Sequence, residues 1–459
     1  MEKFENYIDS KKEIFLEELK DFLRIPSVSS QSSKNQDTAR CARWVANALK
    51  DAKMENIELL ETGGHPIVYA DWLHAGEKYP TILIYGHYDV QPAEPLDLWS
   101  SPPFEPVIVD GKIFARGTAD DKGQLYTHIK AVESLIETEG KLPCNIKFMI
   151  EGEEECGSSH LEDFIINNAK KLECDYAIVS DTEWFAEGLP TICYALRGIC
   201  YTELTVTGPN RDLHSGSFGG AVDNPINVLC QIISKLIDEN GKIAVPGLYD
   251  KVLELSQQER DAFKKLPYNE EKYMKDLGVK ALNGEKGFTT LERNWARPSL
   301  DVNGIYGGYT EEGAKTVLPS IATAKISIRL VANQNSEEVY ELLNKYIQKI
   351  APDTVKAELT YIHGGEPVMV DMTEKPIKAC EIALKKAFGV EPVFMREGGS
   401  IGIVALFGSV LNAPTVLMGL GLPTDNIHSP NENFSLDNFY GGIKASAFFL
   451  KEISNEQYA

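Results

Sequence analysis

The sequence predicts an α/β fold in which a mainly parallel-sheet domain carries a smaller, inserted α+β domain of ferredoxin-like type. Three observations predict it. From about Thr81 to Gly198, apolar strands alternate with helical stretches. After Gly198 the order becomes βαββαβ, and after about Asp371 the first pattern returns. The expected boundaries are therefore 1–198 for the first part of the larger domain, 199–371 for the insert and 372–459 for the second part. A length of 459 residues agrees, being too long for one ordinary core.

Taken in order, the stretch MEKFENYIDSKKEIFLEELKDFLRIPSVSS places Phe4, Ile8, Phe15, Leu19 and Phe22 at helical spacing with charges between them. It predicts an amphipathic first helix that stops before Pro26, with neither a secretory apolar region nor a membrane span. The runs TILIY (Thr81–Tyr85), NIKFMI (Asn145–Ile150) and YAIVS (Tyr176–Ser180) predict buried strands, with a helix in GQLYTHIKAVESLIETEG. Each of these strands runs into polar or charged residues, GHYD, EGEEE and DTEW. Ligands of open α/β sheets bind beyond the carboxyl ends of strands, so the three endings are expected to share a cleft.

In the insert, ICYTELTVTG alternates as a half-exposed strand and NPINVLCQIISKLIDEN is helical. SLDVNGIYG and TAKISIRLV are strands, SEEVYELLNKYIQKI is helical, and VKAELTYI is a strand. A polar, helix-prone stretch from Gly241 to Arg297 interrupts the pattern and is too long for a bare loop. The closing segment predicts a helix in EKPIKACEIALKKAFG, a strand in APTVLMGL and a last helix in LDNFYGGIKASAFFLKEI.

Charge and cysteine usage exclude several function classes. Lys and Arg number 46 against 68 Asp and Glu, a net charge of -22, which repels phosphate backbones and anionic membrane surfaces. No nucleic-acid or membrane partner is expected. Eight cysteines without CxxC pairing argue against a disulfide framework or a thiolate zinc site and suit a reducing cytoplasm.

Four glutamates crowd the end of one predicted strand, Glu151, Glu153, Glu154 and Glu155. Adjacent buried carboxylates disfavour one another's ionisation, so unless they face water they need a cation. Other strand and loop ends supply partners: His87 and Asp89 in YGHYDVQP, Asp120 and Asp121 in RGTADDKG, Asp181 in DTEW, and His428 in NIHSP. Histidine and carboxylate donors without thiolates suit Zn²⁺, Mn²⁺ or Co²⁺, and hydrolytic pairs of such ions lie roughly 3.5–4 Å apart. Part of the EGEEE run is thus expected to bind metal, with a neighbouring glutamate left as a base.

The motifs YGHYDVQP, RGTADDKG, EGEEECGS, SDTEW, DLHSGSFGG, KTVLPS, REGGS and NIHSP, in this order over nearly the whole chain, resemble the M20 metallopeptidases. Within that family they resemble the cytosolic non-specific dipeptidases and carnosinases. The resemblance implies two divalent ions per subunit, Zn²⁺ or Mn²⁺, one held by His87 and Asp181, the other by Glu155 and His428, with Asp120 bridging both. It implies that Asp89 orients His87, that Glu154 is the general acid/base and that His214 reaches a neighbouring subunit's site. Thr316, Arg329 and Ser400, with His214, are implied to bind substrate. It further implies a homodimer whose inserted domain serves as dimerisation surface and lid. Glu153 and Cys156 depart from the pattern, standing where that branch more often has an apolar residue and serine, and the extra carboxylate bears on which glutamate is the base.

The expected reaction is hydrolysis of dipeptides or short peptides by a metal-bridging water, with Glu154 moving the proton and Arg329 clamping the terminal carboxylate. Hydrolysis of N-acyl amino acids is the alternative. A serine-hydrolase reading, with Ser400 in GGSIG as nucleophile beside Asp425 and His428 and an oxyanion loop at His363–Gly365, leaves the acidic strand ends unexplained. A metal-dependent binding protein on the same scaffold would have no need of a base beside the ligands.

Overall fold

Apolar spacing along the chain carries over directly into buried faces. In the helix Lys3–Leu23, Phe4, Ile8, Phe15, Leu19 and Phe22 are all buried, and the helix ends ahead of Pro26. The computed structural model describes residues 1–399 and 401–455. They divide into two units, the first within 1–194, 370–395 and 406–455, the second within 195–369, 396–399 and 401–405.

The larger unit is built on a mixed sheet in the order Glu55–Leu60, Ile67–Trp72, Asn145–Glu151, Thr81–His87, Tyr176–Val179, Thr415–Leu417 and Thr191–Leu196. Its four central strands, from Asn145–Glu151 to Thr415–Leu417, run parallel, and the pairings outside them are antiparallel. Ile67–Trp72, Asn145–Glu151 and Thr415–Leu417 are buried at every position, as strands covered on both faces must be. Parallel register sets His87 beside Glu151 and Tyr85 beside Val179, so the polar ends of three strands emerge along one edge. The helix Leu436–Ile453 packs against Lys122–Glu139 and Lys375–Phe388. Gly441 permits that approach, since a Cβ there would lie 2.1 Å from the Phe388 ring.

The smaller unit is an antiparallel sheet in the order Ser299–Gly307, Ile321–Leu330, Gly198–Thr207 and Lys356–Gly365, the ferredoxin-like arrangement. Burial alternates strictly along Gly198–Thr207, so one face meets the helices Pro225–Ser234 and Ser336–Ile350. Cys200, Leu204 and Val206 there pack with Leu229, Ile232 and Leu343 in an apolar core. The polar stretch before the strand Ser299–Gly307 contains the short helices Gln257–Lys265, Glu270–Leu277 and Thr290–Ala296. The first and third begin with capping boxes, Ser256 with Glu259 and Thr289 with Glu292, which satisfy end groups that helices this short cannot leave open. Among the described residues no helix is long and apolar enough to cross a membrane.

Candidate metal centre

His87 ends its strand fully buried. Its Nδ1 lies 3.1 Å from the main-chain oxygen of Asp89 and 3.4 Å from the Asp89 carboxylate. With Nδ1 turned to that carbonyl, Nε2 faces Asp120 Oδ1 at 3.1 Å and Asp181 Oδ2 at 4.0 Å. The other oxygen of Asp120 lies 2.9 Å from Nε2 of His428, and that same nitrogen is 3.2 Å from Glu155 Oε2. Two donor groups result, His87 with Asp120 and Asp181, and Asp120 with Glu155 and His428; within each, the ligand atoms lie within 4.8 Å of one another. Asp120 belongs to both.

The four glutamates have four different fates. Glu151 turns inward, accepting from the Tyr85 hydroxyl at 2.5 Å and the Ser158 hydroxyl at 2.9 Å, and burial pushes its carboxyl up to about 8. Glu153 pairs with Nδ1 of His160 at 2.9 Å and lies over Gly64, where a Cβ would come within 1.9 Å of its oxygen. Glu155 accepts from the Gln91 side chain at 2.8 Å and main chain at 3.2 Å besides facing His428, and its own N–H donates to Asp89 Oδ2 at 3.1 Å. Glu154 is pushed up to about 7, first by burial and then by the charges of Glu155, Asp120 and Asp89, against the pull of His87.

This electrostatic state tests whether the residues suit a cation. Burial, then the charge of Asp120, holds the Asp181 carboxyl well above its usual range. Burial works against ionisation of Asp120 and protonation of His87, yet the hydrogen bonds between them and from neighbouring groups prevail, lowering the one and raising the other. His428 is pushed up to about 10 by its hydrogen bonds to Asp120 and then Glu155. The carboxylates thus draw positive charge to the points where their oxygens and the imidazole nitrogens converge. The demand is for charge at those points rather than at Asp89 Oδ1, which lies on the Nδ1 side of the His87 ring. Two imidazoles and three carboxylates fit a pair of divalent cations, which would meet that demand without protonating the ligands.

The remaining predicted residues that the structure describes lie in the smaller unit. His214 and Thr316 are brought together: His214 pairs in register with Val317, and the N–H of Ser215 donates to the Thr316 carbonyl at 3.1 Å. Both are exposed, and Nδ1 of His214 accepts from the Gly216 N–H at 3.0 Å. Arg329 lies on the strand Ile321–Leu330 opposite Ile199 and Ser299, and Ser400 falls outside the described residues. Sequence reasoning missed Arg197, whose Nε donates to the Gly398 carbonyl at 3.2 Å and Nη1 to Ser299 Oγ at 3.2 Å. Burial and then the charge of Arg329 push it down to about 10. A lone arginine in ALRGIC carries no motif that would have revealed it. Gln91 was also missed, although it sits inside YGHYDVQP.

The serine-hydrolase alternative loses its triad. Asp425 Oδ2 accepts from the Leu422 N–H at 2.7 Å, and Oδ1 faces Lys112 at 3.7 Å, while His428 is engaged by Asp120 and Glu155. His363 lies in the strand Lys356–Gly365 with its ring stacked on Tyr201, centroids 5.1 Å apart.

Comparison with known proteins agrees with the donor set. Residues 83–452 match peptidase family M20/M25/M40. A Cys-Gly metallodipeptidase of Schizosaccharomyces pombe is 35% identical over 99% of this chain and 98% of its own. A human Beta-Ala-His dipeptidase is 32% identical over 99% and 93%. Among solved structures, an M20 family metallo-carboxypeptidase from Sulfolobus solfataricus superposes with a TM-score of 0.83 at 35% identity, covering 96% of this chain and 99% of that one. With matches that run through both units and both donor groups, the chain belongs to peptidase family M20/M25/M40 and is a metallopeptidase of its dipeptidase branch.

Proposed function

We propose that the protein hydrolyses dipeptides at a two-cation centre in which His87 and Asp181 hold one ion, Glu155 and His428 the other, and Asp120 bridges them. The observation that carries this reading is Asp120, shared between two donor groups. When bound, the ions supply Lewis acidity and lower the pKa of water toward neutrality. Zn²⁺ and Mn²⁺ both suit the oxygen and nitrogen donors.

Glu154 is the general acid/base of this reading. A carboxylate beside the donor groups but outside them can take a proton from water and return it to the leaving amine. Glu153, held by His160, is unavailable for that task. Asp89 fixes the ring of His87 and Gln91 steadies Glu155, so the donors are arranged before any ion arrives. Arg329 is proposed to clamp the substrate carboxylate bidentately, with Thr316 and Ser400 beside the substrate. His214, supplied by a second copy of the chain in a homodimer, is proposed to donate to the developing oxyanion. Its exposure and small-residue loop support that role. Eight cysteines without CxxC pairing support a reducing, cytoplasmic setting.

The relatives' names direct the substrate test. Chelated enzyme reloaded with Zn²⁺ or Mn²⁺ should cleave Cys-Gly or β-Ala-His and leave N-acetyl amino acids largely intact. Turnover that survives chelation would remove the two-cation centre. Preference for N-acetyl amino acids would make the protein an N-acyl amidohydrolase.

A further inference from the structure

Glu432 is fully buried, touches no ligand side-chain atom given above, and receives four hydrogen bonds. Its Oε1 accepts from the N–H groups of Ala119 at 3.0 Å and Asp120 at 3.2 Å. Its Oε2 accepts from the N–H of Gly117 at 2.9 Å and from Arg116 Nη1 at 2.8 Å. The turn that delivers Asp120 is therefore wrapped around an anion from a distant part of the chain, as main-chain N–H groups in successive turn residues can be. Gly117 makes the wrap possible: its φ is +85°, and a Cβ there would lie 2.6 Å from Val90.

The same residue ties down two other ligand-bearing segments. Four residues before it stands His428, and its own carbonyl accepts from the Ala115 N–H at 3.1 Å, where Asn433 pairs with Phe114. Arg116, clamped by Glu432, donates through Nη2 to the Pro92 carbonyl at 3.1 Å and stacks on Trp99 at 5.4 Å. Pro92 follows His87 and Asp89 by a few residues. One carboxylate thus joins the segments carrying His87, Asp120 and His428.

We propose that Glu432 is a positioning residue of the metal centre: by gathering three N–H groups of the Asp120 turn and Arg116, it sets Asp120 against His428 and His87 at ligating distance. The inference rests on the two-cation reading. A purely structural glutamate would stabilise the unit without affecting its affinity for ions, and that difference can be measured.

Glu432→Gln keeps the size but replaces one acceptor oxygen with an NH₂ group facing donors. The apo protein should fold, with a lowered Tm. Its affinity for Zn²⁺ and Mn²⁺, read by chelator competition and by metal content, should fall roughly 10–100-fold, the usual effect of removing a partner that orients a ligand. Leu49→Ala, in the buried side of the helix Asn35–Asp51, serves as control: it should lower Tm while leaving affinity unchanged. Arg116→Lys, which keeps the Glu432 carboxylate, should weaken binding in the same direction by less, and it decides the matter if Glu432→Gln does not fold. Wild-type affinity for both ions in folded Glu432→Gln, or in Arg116→Lys where the first variant does not fold, overturns the role of Glu432 alone. Failure of the wild-type protein to take up two divalent ions overturns the two-cation reading and this inference with it.

Discussion

The two units differ in what they bury beside their candidate site residues. Beside its apolar core the larger one buries charge: His87, Asp89, Asp121, Lys122, Glu151 and Glu432 are all nearly or fully inaccessible, and most lie at or just beyond strand ends. In the smaller one the core is apolar, with Cys200, Leu204, Val206, Leu229 and their neighbours, and its candidate substrate residues His214 and Thr316 are exposed. The difference teaches where each kind of perturbation should register. Removing apolar atoms from the second core costs stability, while changing one oxygen in the first region changes chemistry, because ionisation there is set by neighbours a few ångströms away.

The largest effect is expected from Asp120→Ala. It removes the oxygen donor common to both groups, so metal analysis should show loss of both ions and dipeptidase turnover should fall to background. A fully loaded Asp120→Ala protein would separate the two donor groups. Glu154→Gln should keep both ions and lose roughly 10²–10⁴-fold in kcat, the usual contribution of general acid–base catalysis. Glu153→Gln, whose carboxylate is occupied by His160, should keep most of its turnover. A reversed outcome for this pair would transfer the base to Glu153.

The contrast is sharpened from the other side by Leu204→Ala. Cutting a large buried side chain from the smaller core should cost about 2–5 kcal/mol of stability in denaturant unfolding. Metal content should not change; metal loss would mean that the two regions are coupled. The effect that is silent at neutral pH concerns His128, buried between Ser446 and Ser180 at 2.7 and 2.8 Å and pushed down to about 3 by burial. Above pH 6.5 it is neutral whether folded or unfolded, so it contributes no pH dependence. Below 6.5 the unfolded chain takes up a proton that the folded protein refuses, and stability should fall by roughly 1.4 kcal/mol per pH unit until about pH 3. Comparing wild type with His128→Gln between pH 6.5 and 4.5 isolates this contribution; parallel curves would show that the imidazole titrates normally.

Much of the architecture was legible because it follows from periodicity. Fully apolar runs such as NIKFMI declare strands covered on both faces, strict alternation in ICYTELTVTG declares a half-covered one, and the order βαββαβ admits few topologies. The antiparallel strands at the outer edge, Glu55–Leu60 and Ile67–Trp72, were not anticipated. Glu55–Leu60 is mostly exposed and mixes charge with apolar residues, so its strand character comes from pairing with its neighbour.

The sequence by itself determined which residue types stand at the strand ends, because hydrophobic burial stops where charge begins and leaves His87, the glutamate run and Asp181 beyond the apolar core. Tertiary structure decided which atoms meet. Glu151 is satisfied by a hydroxyl 66 residues away, Glu153 by a histidine seven residues on, and Asp120 is set in place by Glu432, 312 positions later. Local sequence cannot specify such partners, since electrostatic and hydrogen-bonding energies depend on separations in space, and strand register and loop path create those separations only when the chain has folded.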